Sequence, residues 1–330
     1  MKRSLKGWVG GGVLGLAAAG GLAALYAASL GREQVQLDRY TVRSARQGLP
    51  QSGLTILHLT DFHFRAGGRV QARKLALLQK LLRGESYDIV ALTGDLIHDM
   101  AGLHPALKLI RTLSPRYGIY FVPGNHDYAE YTPWGVFDRT WRESTQGGLS
   151  LHDVKHVLRS LTEFVRKVVR NELVRMPVCF NDVSEMIVEL ERAGVRSLVN
   201  TSTRLSMEGG ELWLAGIDDE MESHPDLAQA FDGIPAGVPL ILLAHNPDIW
   251  LQCGVDRADL VLSGHTHGGQ IQLPVMGAVH TQGTHLRRKA PAGWFERGHS
   301  KMFVSRGLGE SIPLRFGARP QVALITLLPG

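Results

Sequence analysis

Five short polar clusters punctuate this chain: Asp61-Phe62-His63, Gly94-Asp95, Gly124-Asn125-His126-Asp127, His245-Asn246 and Gly264-His265-Thr266-His267. Carboxylates and imidazoles dominate them. Divalent ions of hard to borderline character accept carboxylate oxygen and neutral imidazole nitrogen. Two such ions about 3.5–4 Å apart can clamp an in-line displacement at phosphorus. Holding two cations together needs a carboxylate that offers an oxygen to each and offsets their repulsion, and Asp95 is the candidate. An amide oxygen ligates without adding charge, which suits Asn125. Each cluster alone is weak, since an Asp-x-His fits a surface turn and a Gly-Asp says almost nothing. Together, and in this order, they point to metal-dependent chemistry on a phosphate.

Something must position them. Each cluster follows a short apolar run, and in open α/β sheets ligand sites gather beyond the carboxyl ends of the strands. The runs rich in β-formers are Leu54–Leu59, Asp88–Leu92, Ile119–Val122, Leu212–Ile217, Leu240–Ala244, Leu260–Leu262, Met302–Val304 and Val322–Leu328. Amphipathic stretches at Val70–Leu82, Leu103–Leu113 and Val183–Ala193 alternate with them, the rhythm of a mixed α/β domain. Residues 136–182 interrupt that rhythm. Within this insertion, Leu151 to Met176 has apolar residues at helical spacing, with Lys155, Arg159, Arg166, Lys167 and Arg170 on the other face. The insertion starts just after Asp127, at the rim of the expected site. It is expected to act as a lid or to touch membrane; an extra helix pair packed on the domain is the alternative.

The amino terminus has a different character. Gly7 to Leu30 runs for 24 residues without a charge, roughly 36 Å as a helix. Residues 1–30 therefore read as a single membrane anchor, with a signal peptide as the rival. Residues 31–53 read as a juxtamembrane linker, and 54–330 as the catalytic domain. Lys2, Arg3 and Lys6 before the run nearly balance Arg32, Arg39, Arg43 and Arg46 after it, so the side of the membrane stays open. A net charge of +5 suits an anionic substrate or a membrane surface without identifying either. Two cysteines, Cys179 and Cys253, exclude a disulfide framework and a cysteine-rich zinc site. Basic residues are spread out with no aromatic platform beside them, so nucleic acid is not an expected partner. Arg306 and Arg315 are candidate phosphate contacts, because guanidinium matches phosphate in bidentate fashion. His58, inside an expected strand, reads as a core histidine, and His98 as either a cleft or a loop residue.

The clusters resemble the motif set of the calcineurin-like metallophosphoesterases: D-x-H, G-D, G-N-H-[DE], H and G-H-x-H, all present here. The resemblance covers residues 54–328 apart from the insertion. It implies a four-layer α/β/β/α sandwich with two central mixed sheets. It also implies that Asp61, His63, Asp95 and His267 hold one divalent ion, and that Asp95, Asn125, His245 and His265 hold the other. The ions would be manganese, with zinc, iron or cobalt also compatible, and a hydroxide bridging them would attack phosphorus. His126 would contact the scissile phosphate and protonate the leaving oxygen, and Asp127 would orient His126. Gly264 to Gln270 followed by Leu273-Pro274, with Ser305 to Gly309 ahead of Pro313 to Phe316, is similar to the branch with anchored bacterial members. That branch includes the LpxG-type UDP-2,3-diacylglucosamine pyrophosphatases of lipid A synthesis. The resemblance thus implies an inner-membrane enzyme that cleaves a lipid-linked phosphoanhydride to UMP and a lipid monophosphate. A phosphodiesterase or phosphatase of other envelope phosphoesters is the alternative, and a non-catalytic membrane metal-binding scaffold is a third.

Overall fold

The computed structural model describes residues 21–23, 25–131, 166 and 177–330. Its strands are β1 (Gln36–Arg43), β2 (Leu54–Leu59), β3 (Ile89–Thr93), β4 (Gly118–Val122), β5 (Ala129–Tyr131), β6 (Pro177–Phe180), β7 (Val195–Ser197) and β8 (Thr201–Met207). They continue with β9 (Gly210–Gly216), β10 (Leu240–Leu243), β11 (Leu260–Ser263), β12 (Gln272–Leu273), β13 (Gly277–Ala278), β14 (Gly293–Arg297), β15 (Ser300–Val304) and β16 (Gln321–Leu328). Two six-stranded sheets carry the fold, in the orders β1-β16-β2-β3-β4-β7 and β14-β15-β11-β10-β9-β8. Both are mixed: β2, β3, β4 and β7 run parallel while β16 opposes β2, and β9, β10, β11 and β15 run parallel while β8 and β14 oppose their neighbours.

Alternation along a strand explains the layers. In β2, Leu57 and Leu59 face the helices, whereas Leu54 and Ile56 face the second sheet. A strand buried on both faces reads as a near-continuous apolar run, as β2, β3, β10 and β11 do. The inter-sheet core joins Ile56, Ala91 and Val122 of one sheet to Leu214, Leu243 and Phe303 of the other. Helices Arg69–Leu81, Leu103–Ile110 and Val183–Arg192 cover the outer face of the first sheet. The last shows the local logic: Asp182 caps it by accepting from the Glu185 amide, and Val183, Met186 and Leu190 form its buried stripe. Short helical turns at Leu227–Ala230, Pro247–Leu251 and Val255–Arg257 cover the second sheet.

The stretch 31–53 is not a linker, because β1 pairs in parallel with β16 over its whole length, from Gln36 opposite Gln321 to Arg43 opposite Leu328. An edge strand exposes much of its surface, so Asp38, Arg39 and Arg43 are tolerated there and no apolar run betrays it. The insertion closes earlier than 182: Pro177–Phe180 pairs with β5, and Asn181 donates its side-chain amide to the His126 carbonyl at 3.0 Å. The expected helix from Leu151 to Met176 lies, apart from Arg166, outside the described residues. So does most of the expected membrane span, of which Gly21–Ala23 and Leu25–Leu30 are described. Among the described residues no helix is long and apolar enough to cross a membrane. Cys179 and Cys253 are both free and exposed.

Candidate metal centre

The loops after β2, β3, β4, β10 and β11 all open at one edge of the paired sheets, and they carry Asp61 and His63, Asp95, Asn125 and His126, His245, and His265 and His267. Backbone hydrogen bonds continue beyond the regular ladders: the Asp61 amide donates to the Gly94 carbonyl at 3.1 Å and the His63 amide to the Asp95 carbonyl at 2.9 Å. The His265 amide donates to Asp61 Oδ1 at 3.0 Å and so ties the two sheets together at this edge. The His126 amide donates to Asp95 Oδ1 at 2.8 Å.

This edge is strained. Asp61, His63, Asp95, His265 and His267 have φ between 49° and 69°, a region that non-glycine residues rarely adopt. Gly94, at φ 81°, supplies the close approach that the loops need: a Cβ there would lie 2.6 Å from both the Gly124 nitrogen and His245 Nδ1.

Two groups of donors share Asp95, one of Asp61, His63, Asp95 and His267, the other of Asp95, His245 and His265; His63 also groups with His98 and His126. Asp95 serves both: Oδ2 lies 3.5 Å from His63 Nε2 and Oδ1 lies 3.3 Å from His245 Nε2. In the first group His63 Nε2 and His267 Nε2 are 3.0 Å apart, and His267 Nε2 is 3.6 Å from Asp61 Oδ1. In the second, His265 Nδ1 is 3.2 Å from His245 Nε2 and 3.0 Å from Asn125 Oδ1. Ligand atoms held about 2.0–2.2 Å from one ion lie about 3–3.5 Å from each other, so these spacings fit divalent cations. The tautomers fit as well. His245 Nδ1 faces the Thr93 carbonyl at 2.7 Å and His265 Nε2 faces the Gln282 carbonyl at 3.2 Å. A carbonyl only accepts, so each of those nitrogens carries a proton, which leaves the other ring nitrogen as the one that would offer a lone pair to an ion.

The carboxylates draw a proton onto His245: burial lowers its pKa, but Asp95 and Asp61 outweigh burial and raise it to about 10, so a bound ion would take the place of the Nε2 proton. Burial pushes Asp61 up to about 7, with His245 pulling it down and the Asp95 charge adding to the rise. For Asp95 burial acts upward too, but His245, His126 and His63 outweigh it and hold the group well below the usual carboxylate range. Buried carboxylates crowded in this way call for cations, and a divalent ion would meet that need.

The catalytic candidates part company. His126 lines a cavity of about 170 Å³ together with Asp95, Asn125, His265 and His267. Its ring stands edge-on to His63 with centroids 4.5 Å apart. Asp127, expected to orient it, is engaged by backbone. Its Oδ1 accepts from the Ile97 amide at 3.0 Å and its Oδ2 from the Gly124 amide at 2.9 Å, so this carboxylate braces the Gly-Asp and Gly-Asn loops.

Arg315 is no substrate contact. It is fully buried, and its guanidinium donates to the carbonyls of Ala318 at 2.9 Å, Arg306 at 2.8 Å, Gly307 at 3.2 Å, Gly309 at 2.6 Å and His267 at 3.4 Å. It knots the C-terminal loop under the Gly-His-Thr-His turn. Arg306 is also occupied away from the cavity, pairing with Asp38 at 3.2 Å and donating to the Arg319 carbonyl at 3.0 Å. His58 is the core histidine expected, with Nε2 2.7 Å from Thr93 Oγ1. His98 is buried beside the site, its ring 5.4 Å from that of His126 and Nε2 2.8 Å from an Arg65 nitrogen.

Sequence reasoning missed Tyr131, Met221, His280 and Gln282, which complete the cavity wall. Tyr131 packs its ring 4.8 Å from His126 and donates its hydroxyl to Glu222. No spacing in the sequence marks these residues, since Tyr131 ends the short strand β5 while Met221, His280 and Gln282 reach the cavity from irregular loops.

Two mixed sheets with paired acid and imidazole clusters at one edge define a metal-dependent phosphohydrolase. The chain belongs to the calcineurin-like phosphoesterase family, whose model matches residues 54–269. It is 27% identical to the metallophosphoesterase YkoQ of Bacillus subtilis, over 90% of this chain and 92% of that one. It is 26% identical to the metallophosphoesterase YkuE of the same organism, over 99% and 96%. It is 26% identical to the UDP-2,3-diacylglucosamine pyrophosphatase LpxG of Chlamydia muridarum, over 89% of each chain.

Proposed function

We propose that this enzyme hydrolyses a lipid-linked phosphoanhydride of the UDP-2,3-diacylglucosamine type at a centre of two divalent ions, with manganese as the first candidate. The observation that supports the two-ion reading best is the placement of Asp95, which offers one oxygen to each donor group. Similarity to LpxG along most of the chain supports the substrate class. The uncharged run from Gly7 to Leu30 supports attachment to a membrane, and a UDP-linked substrate would put the catalytic domain on the cytoplasmic side.

Asp61, His63 and His267 would hold one ion, Asn125, His245 and His265 the other, and Asp95 both. Bound ions of this kind supply Lewis acidity at the phosphoryl oxygens and a nucleophilic water at neutral pH. The protein's own groups do the rest. Asp95 and Asp61 are fixed by the amides of His126 and His265, so the centre is organised before substrate arrives. His126 lines the cavity and would hold the phosphate and give a proton to the oxygen that leaves as the phosphorus–oxygen bond breaks. The buried walls limit bulk water.

The test is turnover by the purified full-length protein with added manganese, offered UDP-2,3-diacylglucosamine beside bis-p-nitrophenyl phosphate. Metal-dependent release of UMP supports the reading. Hydrolysis of the aryl ester alone would move the substrate to other envelope phosphoesters.

A further inference from the structure

A second cavity, of about 350 Å³, opens beside the metal centre between helix Arg69–Leu81 and the C-terminal loop. Its size falls within the range of ligand pockets. Phe62, Val70, Leu75, Leu78 and Leu308 give it a largely apolar lining beside the buried Lys74–Glu310 pair, and the stacked rings of Phe62 and Phe64, 5.0 Å apart, form one wall. His63 and Ser311 stand at its inner end; Ser311 also lines the catalytic cavity, with Oγ 3.0 Å from His267 Nε2. Arg65 and Arg69 are exposed at the mouth. The buried Lys74 is already engaged, donating to the Leu308 carbonyl at 2.7 Å and to Glu310 at 2.5 Å.

The path of the chain says what this pocket faces. The Arg315 amide donates to the Ala27 carbonyl at 2.9 Å, and the rings of Tyr26 and Phe316 meet edge-on at 6.1 Å. Arg32 lines the pocket and pairs with Glu310 at 3.2 Å. The carboxyl end of the uncharged run Gly7–Leu30 is therefore fastened against the loop that forms the pocket wall. If that run enters a bilayer, the mouth lies at the interface.

We propose that this pocket receives an acyl chain of the phosphorylated lipid substrate, entering from the bilayer while the phosphate reaches the metal centre past His63 and Ser311. A largely apolar lining takes hydrocarbon, and the cationic mouth suits an anionic headgroup. The inference rests on the phosphohydrolase reading for the headgroup and on the pocket's own chemistry for the chain.

The experiment uses full-length protein in phosphatidylcholine nanodiscs doped with dodecyl phosphate bearing a terminal diazirine. Illumination followed by mass spectrometry maps the adducts. The expected adducts fall on Val70–Leu78 and Leu308–Pro313, are displaced by unlabelled dodecyl phosphate but not by methyl phosphate, and drop about tenfold in Val70→Trp and in Leu75→Trp, whose indoles fill the pocket from the helix side at two points along it. Thermal unfolding checks that both variants fold. The absence of adducts on these segments, or displacement by methyl phosphate, overturns the proposal. Hydrolysis of bis-p-nitrophenyl phosphate by the same preparation reads the catalytic assignment separately. Adducts without hydrolysis would remove that assignment and leave the pocket, and hydrolysis without adducts would do the reverse.

Discussion

His63 Nε2 and His267 Nε2 stand 3.0 Å apart although 204 positions separate them in the chain, and both are buried against carboxylates. Two neutral imidazoles gain nothing from facing lone pairs toward each other. Their approach is favourable when both point at a cation, and the loops that achieve it adopt left-handed backbone at both residues.

Glycine substitution separates crowding from backbone preference. Gly84 and Gly94 have nearly the same φ, 82° and 81°, but a Cβ on Gly84 meets nothing within 4 Å. Gly84→Ala is expected to cost about 1 kcal/mol, from conformation alone. Gly94→Ala must also displace His245 or the Gly124 backbone, adding about 1–3 kcal/mol and weakening metal retention. Chemical denaturation of both variants checks this; equal losses would show that the loops are not tightly packed.

Arg315→Met leaves several buried carbonyls without a donor and is expected to destabilise the protein by about 3–5 kcal/mol. Arg306→Met removes a partly exposed pair with Asp38 and should cost less than about 1 kcal/mol. Urea midpoints would distinguish them. A mild Arg315 variant with impaired turnover would return that residue to the substrate.

The charge of Glu220 predicts a pH effect. Burial, reinforced by the Asp248 charge, raises its carboxyl to about 7. A raised carboxylate binds its proton more tightly in the folded state, so its stabilising contribution is complete below about 4.5 and is lost as pH rises through about 7. Glu220→Gln stays neutral throughout. Its melting temperature should match the parent at pH 4 and exceed it at pH 8, by an amount reduced by the solvent that still reaches the group. A Gln variant that is less stable at pH 8 would show that the carboxylate is held by a partner instead.

Much of this was legible from residue types. The strands β2, β3, β10 and β11 announce themselves because both their faces are buried. The clusters that follow them are legible because few residues other than Asp, His and Asn supply such donors. By contrast β1 leaves every residue but Val42 at least partly exposed, β8 leaves all but Thr203 and Leu205 so, and both mix charges with apolar groups, so no run marks them. The role of Arg315 was hidden for a different reason. Its acceptors are backbone carbonyls, which every residue carries, and only the folded loop brings them together. The bracing by Asp127 is hidden likewise, because its acceptor oxygens meet the amides of Ile97 and Gly124, which no residue type announces.

The most direct test counts metal. Protein purified in manganese and freed of loose ions should hold two ions per chain by elemental analysis, one in each donor group. Asp95→Ala, which removes the oxygen from both groups at once, should lose binuclear binding and nearly all hydrolysis of bis-p-nitrophenyl phosphate, while His245→Ala should retain an ion at Asp61, His63 and His267. A single ion in the parent, or full activity in Asp95→Ala, would contradict the account.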